Sequence, residues 1–132
     1  MSDPTPDHLR NGTIVDSFRH AFAGLWHALC TQRNTRIHLL IAVAVVALGL
    51  WLGLSFSEWA VLVLTIGFVL VSEMLNTVAE SLVDLITSDY HPHAKIVKDV
   101  AAGAVLLGAI IAVLVGLLIL GPPLWSRILG VE

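Results

Sequence analysis

Three long apolar runs constrain the fold of this chain more than any other feature. They are IHLLIAVAVVALGLWLGL at 37–54, WAVLVLTIGFVLVSEML at 59–75 and VAAGAVLLGAIIAVLVGLLIL at 100–120. Each is close to the roughly 20 residues that a helix needs to cross a hydrocarbon core of about 30 Å. In lipid, a single segment satisfies its own backbone groups only as a helix. The sequence therefore predicts three transmembrane helices, over about 37–54, 58–86 and 92–120.

The composition agrees with a membrane protein of one domain. Of the 132 residues, 57% are hydrophobic and 13% are charged, whereas soluble domains carry about one quarter charged residues. The net charge of −3 provides no basic field, so nucleic acid is not expected as a partner. The single cysteine, Cys30, has no partner for an intramolecular disulfide.

Outside the spans, the chain divides into a lead-in, a surface helix and a tail. Residues 1–14 are polar and rich in Pro, Asp and Gly, so we expect them to be disordered. Over 15–34, apolar side chains recur every three or four residues between polar ones. This period predicts an amphipathic helix along the membrane interface, and a packing helix of a larger bundle is the alternative. With 122–132 as a short tail, the membrane domain covers 15–121.

The expected fold is an all-α membrane protein with one N-terminal surface helix and three transmembrane helices. Six basic residues lie before the first span or between the second and third, and only Arg127 follows the third: Arg10, Arg19, Arg33, Arg36, Lys95 and Lys98. The positive-inside rule then places the N-terminus and the 86–99 loop in the cytoplasm. Three spans enclose little interior, and the Gly- and Ala-rich third span permits close helix contact, so we expect an oligomer.

Four polar side chains share one face at the end of the second span. At about 100° per residue, Glu73, Asn76, Glu80 and Asp84 fall within a sector of roughly 80°. Glu73 lies about 21 Å along the helix from Trp59, within the cytoplasmic half of the bilayer, while Glu80 and Asp84 have emerged from it. Ionisable residues at such depth are candidates for function. The solvated end of a long helix is the alternative interpretation of Asp84.

The carboxylates of this stripe have two possible chemical uses. A buried carboxylate can act as a general base for an alcohol, and solvated carboxylates suit Mg²⁺ together with phosphate oxygens. The following stretch, SDYHPHAKIVKDVAAG at 88–103, adds Lys98 and Asp99 at the edge of the third span. An ammonium group is a good partner for phosphate. Lys95 is interpreted as a positive-inside anchor.

Two long motifs carry a resemblance to a known family. EMLNTVAESLVDL, followed by YHPHAKIVKDVAAGAVL, resembles the prokaryotic diacylglycerol kinase family of small integral-membrane lipid kinases. The likeness extends back through SFRHAFAGLWHAL and TQRNTRIHL and covers about residues 15–120, and its YHP…AK form is closest to the undecaprenol kinase branch. The resemblance implies ATP- and Mg²⁺-dependent phosphorylation of a lipid hydroxyl. It also implies a homotrimer of three-span subunits in the bacterial inner membrane.

The resemblance also implies a role for each residue of the motifs. It makes Glu73 the general base, supported by Asn76 on the next turn, and makes Glu80 the ligand of the Mg²⁺ that accompanies ATP. The nucleotide and its phosphates would be contacted by residues of the loop and of the third span: Asp89, Tyr90, His91, Lys98 and Asp99. The surface helix would cover the site and help to admit lipid from the membrane.

One position departs from the family pattern. The family usually has a second Mg²⁺-binding Glu on the surface helix, where this chain has Gln32. A glutamine carbonyl can coordinate Mg²⁺ but brings no charge, so we expect a raised Mg²⁺ requirement.

The rival interpretation is a non-catalytic small oligomeric membrane protein, such as a pore or an assembly factor. A pore would use the stripe to line a water path, but it has no use for Glu80, Lys98 and Asp99 gathered at one end. Within the kinase interpretation, the acceptor lipid stays open between diacylglycerol and undecaprenol, because apolar walls discriminate such tails poorly.

Overall fold

The computed structural model describes residues 13–130, which form four helices and no strand in that range. The helices are α1 (Ile14–Thr31), α2 (Arg33–Leu52), α3 (Phe56–Ile86) and α4 (Pro92–Leu129). By length and composition, α2, α3 and α4 are each able to cross a membrane. The prediction of an all-α protein with three such helices is confirmed. Of the residues 1–14 that are predicted to be disordered, 1–12 lie outside the described range. For Thr13 and Ile14 the prediction is wrong, because Thr13 caps α1 and Ile14 is its first residue.

Helix α1 begins with a capping box and keeps its aromatic face exposed. The Thr13 hydroxyl accepts a hydrogen bond from the Asp16 backbone N–H, and the Thr13 hydroxyl and N–H both donate to the Asp16 carboxylate. These bonds, the hydroxyl's above all, hold the pKa of Asp16 below its ordinary value. Phe22 and Trp26 are exposed, while Ala28 is buried. An amphipathic helix of this kind is suited to lie in a membrane interface.

A single extended residue separates the surface helix from the first span. Gln32 has φ −94° and ψ 116°, and α2 starts at Arg33 with a bond from the Arg36 N–H to the Gln32 carbonyl. From the sequence, the surface helix is predicted to end at 34 and the first span to begin at 37, because 33–36 are polar. In the structure these polar residues form the first turn of α2. The backbone N–H groups of a first turn have no partner within the helix, so a polar environment suits them.

Helices α2 and α3 form an antiparallel hairpin. Gly53 ends α2 in the left-handed conformation, with φ 72°, which glycine adopts without a steric penalty. Ser55 then caps α3 in a second capping box, with Glu58. At Gly49 the two helices come close: a Cβ there would lie 3.1 Å from the Trp59 ring. A side chain at 49 would therefore require the Trp59 ring to shift by a few tenths of an ångström.

The three long helices lie side by side, and the packing of α3 on α4 is the most extensive. At Gly108 of α4, an added Cβ would lie 3.2 Å from the Phe68 ring of α3. We call the end where α2 and α4 start and α3 ends the lysine end, after Lys95 and Lys98. The opposite end is the tryptophan end, where the Arg127 guanidinium stacks 5.4 Å from the centre of the Trp51 ring.

Helix α4 continues beyond the point where the sequence analysis ended the third span. It passes through Pro122 and Pro123 to Leu129, so most of the 122–132 tail is helical. The apolar run that predicts this span ends at 120, and the adjacent prolines that follow remove two backbone donors but do not end the helix. In the structure, the Ser126 hydroxyl donates to the Pro123 carbonyl inside this last part of α4.

Candidate active site

The polar stripe of α3 contains the most unusual burial in the molecule. Glu73 is 2% exposed and Asn76 is 7% exposed, whereas Glu80, one turn closer to the lysine end, is half-buried. The 31-residue helix holds all three on one face because their spacing of three and four residues matches its turn. A carboxylate buried to this degree is costly. The burial of Glu73 therefore indicates a functional role.

Hydrogen bonds join part of the stripe and leave two of its atoms open. The Asn76 side-chain amide donates to the Glu80 carboxylate at 3.0 Å, and the Thr77 hydroxyl donates to the Glu73 backbone carbonyl at 3.0 Å. The Glu73 Oε2 and Asn76 Oδ1 atoms are buried and accept no hydrogen bond from residues 13–130. Unpaired buried acceptors cost about 1–3 kcal/mol each. Two such atoms one turn apart are suited to receive donors from a bound molecule.

Two ion pairs lie at the lysine end. Lys98 Nζ of α4 is 2.6 Å from Asp84 Oδ1 of α3, and Lys95 pairs with Asp99 within α4. Lys98 and Asp99 are neighbours in sequence and are both predicted to contact phosphates, and each has a different ion-pair partner in the structure. The pairs are largely exposed, and such pairs contribute little to stability. The cross-helix pair instead holds the Lys98 ammonium group beside the end of the stripe.

The loop between α3 and α4 is short and internally bonded. Thr87 ends α3, and its hydroxyl accepts from the Asp89 backbone N–H at 3.1 Å. His91 caps α4, with its Nδ1 accepting from the His93 N–H at 3.2 Å. Asp89 and Tyr90 are exposed. A cavity of about 310 Å³ under the loop is lined by His91 but by neither of those two residues. The predicted nucleotide contacts therefore do not all face one pocket.

A metal-ion cage made of protein side chains alone is absent from the described part of the chain. No group of three or more His, Cys, Asp or Glu residues in 13–130 is placed to hold a metal ion. Glu80 offers one carboxylate at the stripe's open end, and Gln32 is half-buried between α1 and α2. Mg²⁺ commonly takes one or two carboxylates and completes its coordination with phosphates and water. The Glu80 carboxylate therefore fits Mg²⁺ bound together with a phosphate substrate, and no hydrogen bond within 13–130 joins Gln32 to Glu80.

Two features of the structure were not predicted from the sequence. The sequence assigns Asp84 no specific partner, although the residue lies on the stripe one turn beyond Glu80. Nor does it single out Thr35, which is 8% exposed and has a buried hydroxyl with no hydrogen-bond partner in the described range. No sequence pattern distinguishes Thr35 from the other threonines. Its burial depends on how α2 packs.

Comparison with known proteins identifies the relatives of the chain. The model of the prokaryotic diacylglycerol kinase family matches residues 19–120. The chain is 53% identical over 114 residues to a diacylglycerol kinase of Synechocystis sp., covering 86% of this chain and 65% of that protein. It is 46% identical to the undecaprenol kinase of Bacillus subtilis, covering 82% and 88%. It is 27% identical to the diacylglycerol kinase of Escherichia coli, covering 86% and 90%. The chain thus spans slightly under two thirds of the first relative and most of the other two.

Proposed function

This chain belongs to the prokaryotic diacylglycerol kinase family, and we propose that it is a membrane lipid kinase. It transfers the γ-phosphoryl group of ATP to the hydroxyl of a membrane lipid. The observation that carries this proposal is the stripe itself, with a buried, unpaired Glu73 Oε2 and a half-buried Glu80 linked by Asn76. In such an arrangement, Glu73 can meet an alcohol that comes from the membrane, and Glu80 can meet a phosphate at the lysine end.

Glu73 acts as the general base in this reaction. The lipid oxygen forms a bond to the γ-phosphorus while the bond from that phosphorus to the β,γ-bridging oxygen breaks, and ADP leaves. The alcohol proton passes to Glu73 Oε2, which accepts no other hydrogen bond within 13–130. Burial favours this role, because it limits competition from water for the carboxylate. Asn76 keeps the Glu80 carboxylate in line with Glu73 along the helix.

The residues of the lysine end receive the nucleotide. Lys98, held by Asp84 at 2.6 Å, offers its ammonium group to the phosphates, and Asp99 and the Asp89–His91 loop contribute further contacts. Glu80 would hold the Mg²⁺, and Gln32 would serve as a neutral second ligand. When bound there, the ion neutralises charge on the phosphates, and phosphoryl transfer depends mainly on such positioning and neutralisation.

The proposal includes a membrane setting. The lysine end faces the cytoplasm, as the excess of Lys and Arg at that end supports, so the chain's N-terminus is cytoplasmic. The protein is a multi-pass protein of a bacterial inner membrane and assembles as a homotrimer. The pore or assembly-factor alternative has no support from family membership and leaves the burial of Glu73 beside Asn76 unexplained.

A transfer assay tests the proposal and identifies the acceptor. Purified protein in lipid nanodiscs is supplied with γ-labelled ATP, Mg²⁺ and one of three lipid alcohols: diacylglycerol, undecaprenol or ceramide. We expect the label to move to at least one lipid, and only when Mg²⁺ is present. Absence of labelled lipid with every acceptor, from a protein that is folded by its melting curve, would refute the lipid kinase proposal.

The substitution Gln32→Glu tests the weak second ligand. A carboxylate at 32 adds a full charge next to the Mg²⁺ site, so the Mg²⁺ concentration for half-maximal activity is expected to fall severalfold. Asn34→Asp is the matched control, because it makes the same amide-to-carboxylate change at an exposed position two residues away. An unchanged Mg²⁺ dependence in the Gln32→Glu variant, or an equal shift in the control, would contradict the assignment of Gln32.

A further inference from the structure

Thr35 of α2 has a buried hydroxyl that is not used by its own helix. Its side chain is 8% exposed, and Oγ1 makes no hydrogen bond to any residue of 13–130. Four hydroxyls of α3 donate to the carbonyl one turn earlier, among them Thr65 to Val61 and Ser72 to Phe68, both at 2.8 Å. Thr35 therefore differs from these residues by having its hydroxyl available inside the protein.

The break at Gln32 explains why this hydroxyl is available. The carbonyl one turn before Thr35 belongs to Thr31, the last residue of α1, and the extended Gln32 takes it out of line with α2. The third residue of a helix has no helical carbonyl behind it to accept a bond. The short break thus leaves a hydroxyl unpaired at the start of α2.

The register of the α2–α3 hairpin puts Thr35 at the depth of Glu73. Fourteen residues separate Thr35 from Gly49 on α2, and fourteen separate Trp59 from Glu73 on α3. Because Gly49 and Trp59 are in contact and the two helices are antiparallel, both residues lie about 21 Å from that contact along the helix axes. His38 of α2 and Leu70 of α3 line the same apolar cavity, so the two helices have the same register at that depth. Thr35 and Glu73 are one turn further along.

The chemistry of the buried atoms indicates what Thr35 contributes. The open atoms of Glu73 and Asn76 are both acceptors, so they hold an alcohol only through its proton. A hydroxyl oxygen also has two lone pairs, one of which must point to the phosphorus during transfer. A threonine hydroxyl can donate to the other lone pair. Thr35 supplies the donor that the stripe lacks.

We propose that Thr35 is a positioning residue for the acceptor lipid, whose hydroxyl oxygen accepts a hydrogen bond from Thr35 Oγ1 while its proton points to Glu73. This inference rests on the proposed lipid kinase function and extends it to a residue outside the stripe. The bond orients the alcohol before transfer and takes no part in binding ATP. Its loss should therefore affect the lipid substrate alone.

Steady-state kinetics of Thr35→Val and Thr35→Ser test this role. Valine keeps the shape of threonine but lacks the hydroxyl, so the KM for the lipid alcohol is expected to rise about tenfold, the effect of one lost hydrogen bond. The KM for ATP should not change. The melting temperature should stay the same or rise, because the valine variant buries no unpaired hydroxyl. Serine should restore the lipid KM to within about twofold of the original, because it retains the donor.

Thr65→Val is the matched control, since it makes the same change in α3 at a hydroxyl that is bonded to its own helix. It should leave both KM values unchanged. An unaltered lipid KM in Thr35→Val, or a serine variant as impaired as the valine variant, overturns the inference. If the valine protein does not fold, Thr35→Ala takes its place against the serine variant. A wild-type protein with no lipid kinase activity refutes the proposed function as well, whereas an active wild type with an unaffected valine variant refutes this inference alone.

Discussion

Replacing Glu73 with glutamine is expected to lower phosphoryl transfer to the lipid by about 10²–10⁴-fold, the usual contribution of a general base. Glutamine has nearly the same shape but cannot take the alcohol proton. The melting temperature of the Glu73→Gln protein should match or exceed that of the original protein, because the carboxylate of Glu73, a residue only 2% exposed, is replaced with a neutral group. Transfer is measured as labelled lipid, and stability as a melting curve in the same nanodiscs.

The control for this substitution is Glu58→Gln on the same helix. Glu58 lies at the tryptophan end, where its carboxylate accepts a hydrogen bond from the Ser55 N–H in the capping box. A glutamine carbonyl can accept the same hydrogen bond. The activity of the Glu58 variant should stay close to that of the original. The Glu73 variant should still be stabilised by ATP and Mg²⁺, because binding and proton transfer are separate. Substantial transfer by the Glu73 variant would exclude this residue as the base.

The substitution Glu80→Gln is expected to reduce transfer by about 10²-fold and to raise the Mg²⁺ requirement, because the only carboxylate assigned to the ion is lost. The glutamine carbonyl can still accept the 3.0 Å bond from Asn76, so the side chain keeps its place on the stripe. Activity at several Mg²⁺ concentrations and the thermal shift with ATP are the measurements.

The two variants should differ in a way that separates their roles. Excess Mg²⁺ should recover part of the activity of the Glu80 variant and none of the activity of the Glu73 variant. ATP should stabilise the Glu80 variant less than the Glu73 variant at limiting Mg²⁺. An unchanged Mg²⁺ dependence in the Glu80 variant would show that the ion is held elsewhere.

Much of the architecture could be predicted because it follows from local rules. A hydrocarbon core needs helices of about 20 apolar residues, so three apolar runs sufficed to predict the three long helices. Their ends were less predictable. Polar residues 33–36 looked interfacial but form the first turn of α2, and α4 continues through Pro122 and Pro123. Apolar patterns mark the membrane-facing part of a helix, whereas helix ends depend on local backbone bonds.

The candidate site was predicted where its residues share one helix. Glu73, Asn76 and Glu80 lie on one face because helical spacing requires it, and the bond from Asn76 to Glu80 joins neighbouring turns. Contacts between helices were not predictable in the same way. Lys98 pairs with Asp84 across α3 and α4, although Asp99 is its neighbour in sequence. Adjacent residues on a helix point about 100° apart, so the partner of Lys98 comes from another helix and not from its neighbour in sequence.

The sequence by itself determined the class of the protein, its three spans, and the row of polar side chains from Glu73 to Glu80, because each depends only on composition and helical period. The tertiary structure decided how deeply Glu73 is buried, which carboxylate holds Lys98, and that the Thr35 hydroxyl of α2 is buried without a hydrogen-bond partner in 13–130. These features depend on the register and rotation of one helix against another. Packing of side chains such as Trp59 against Gly49 sets that register, and no local sequence pattern encodes it.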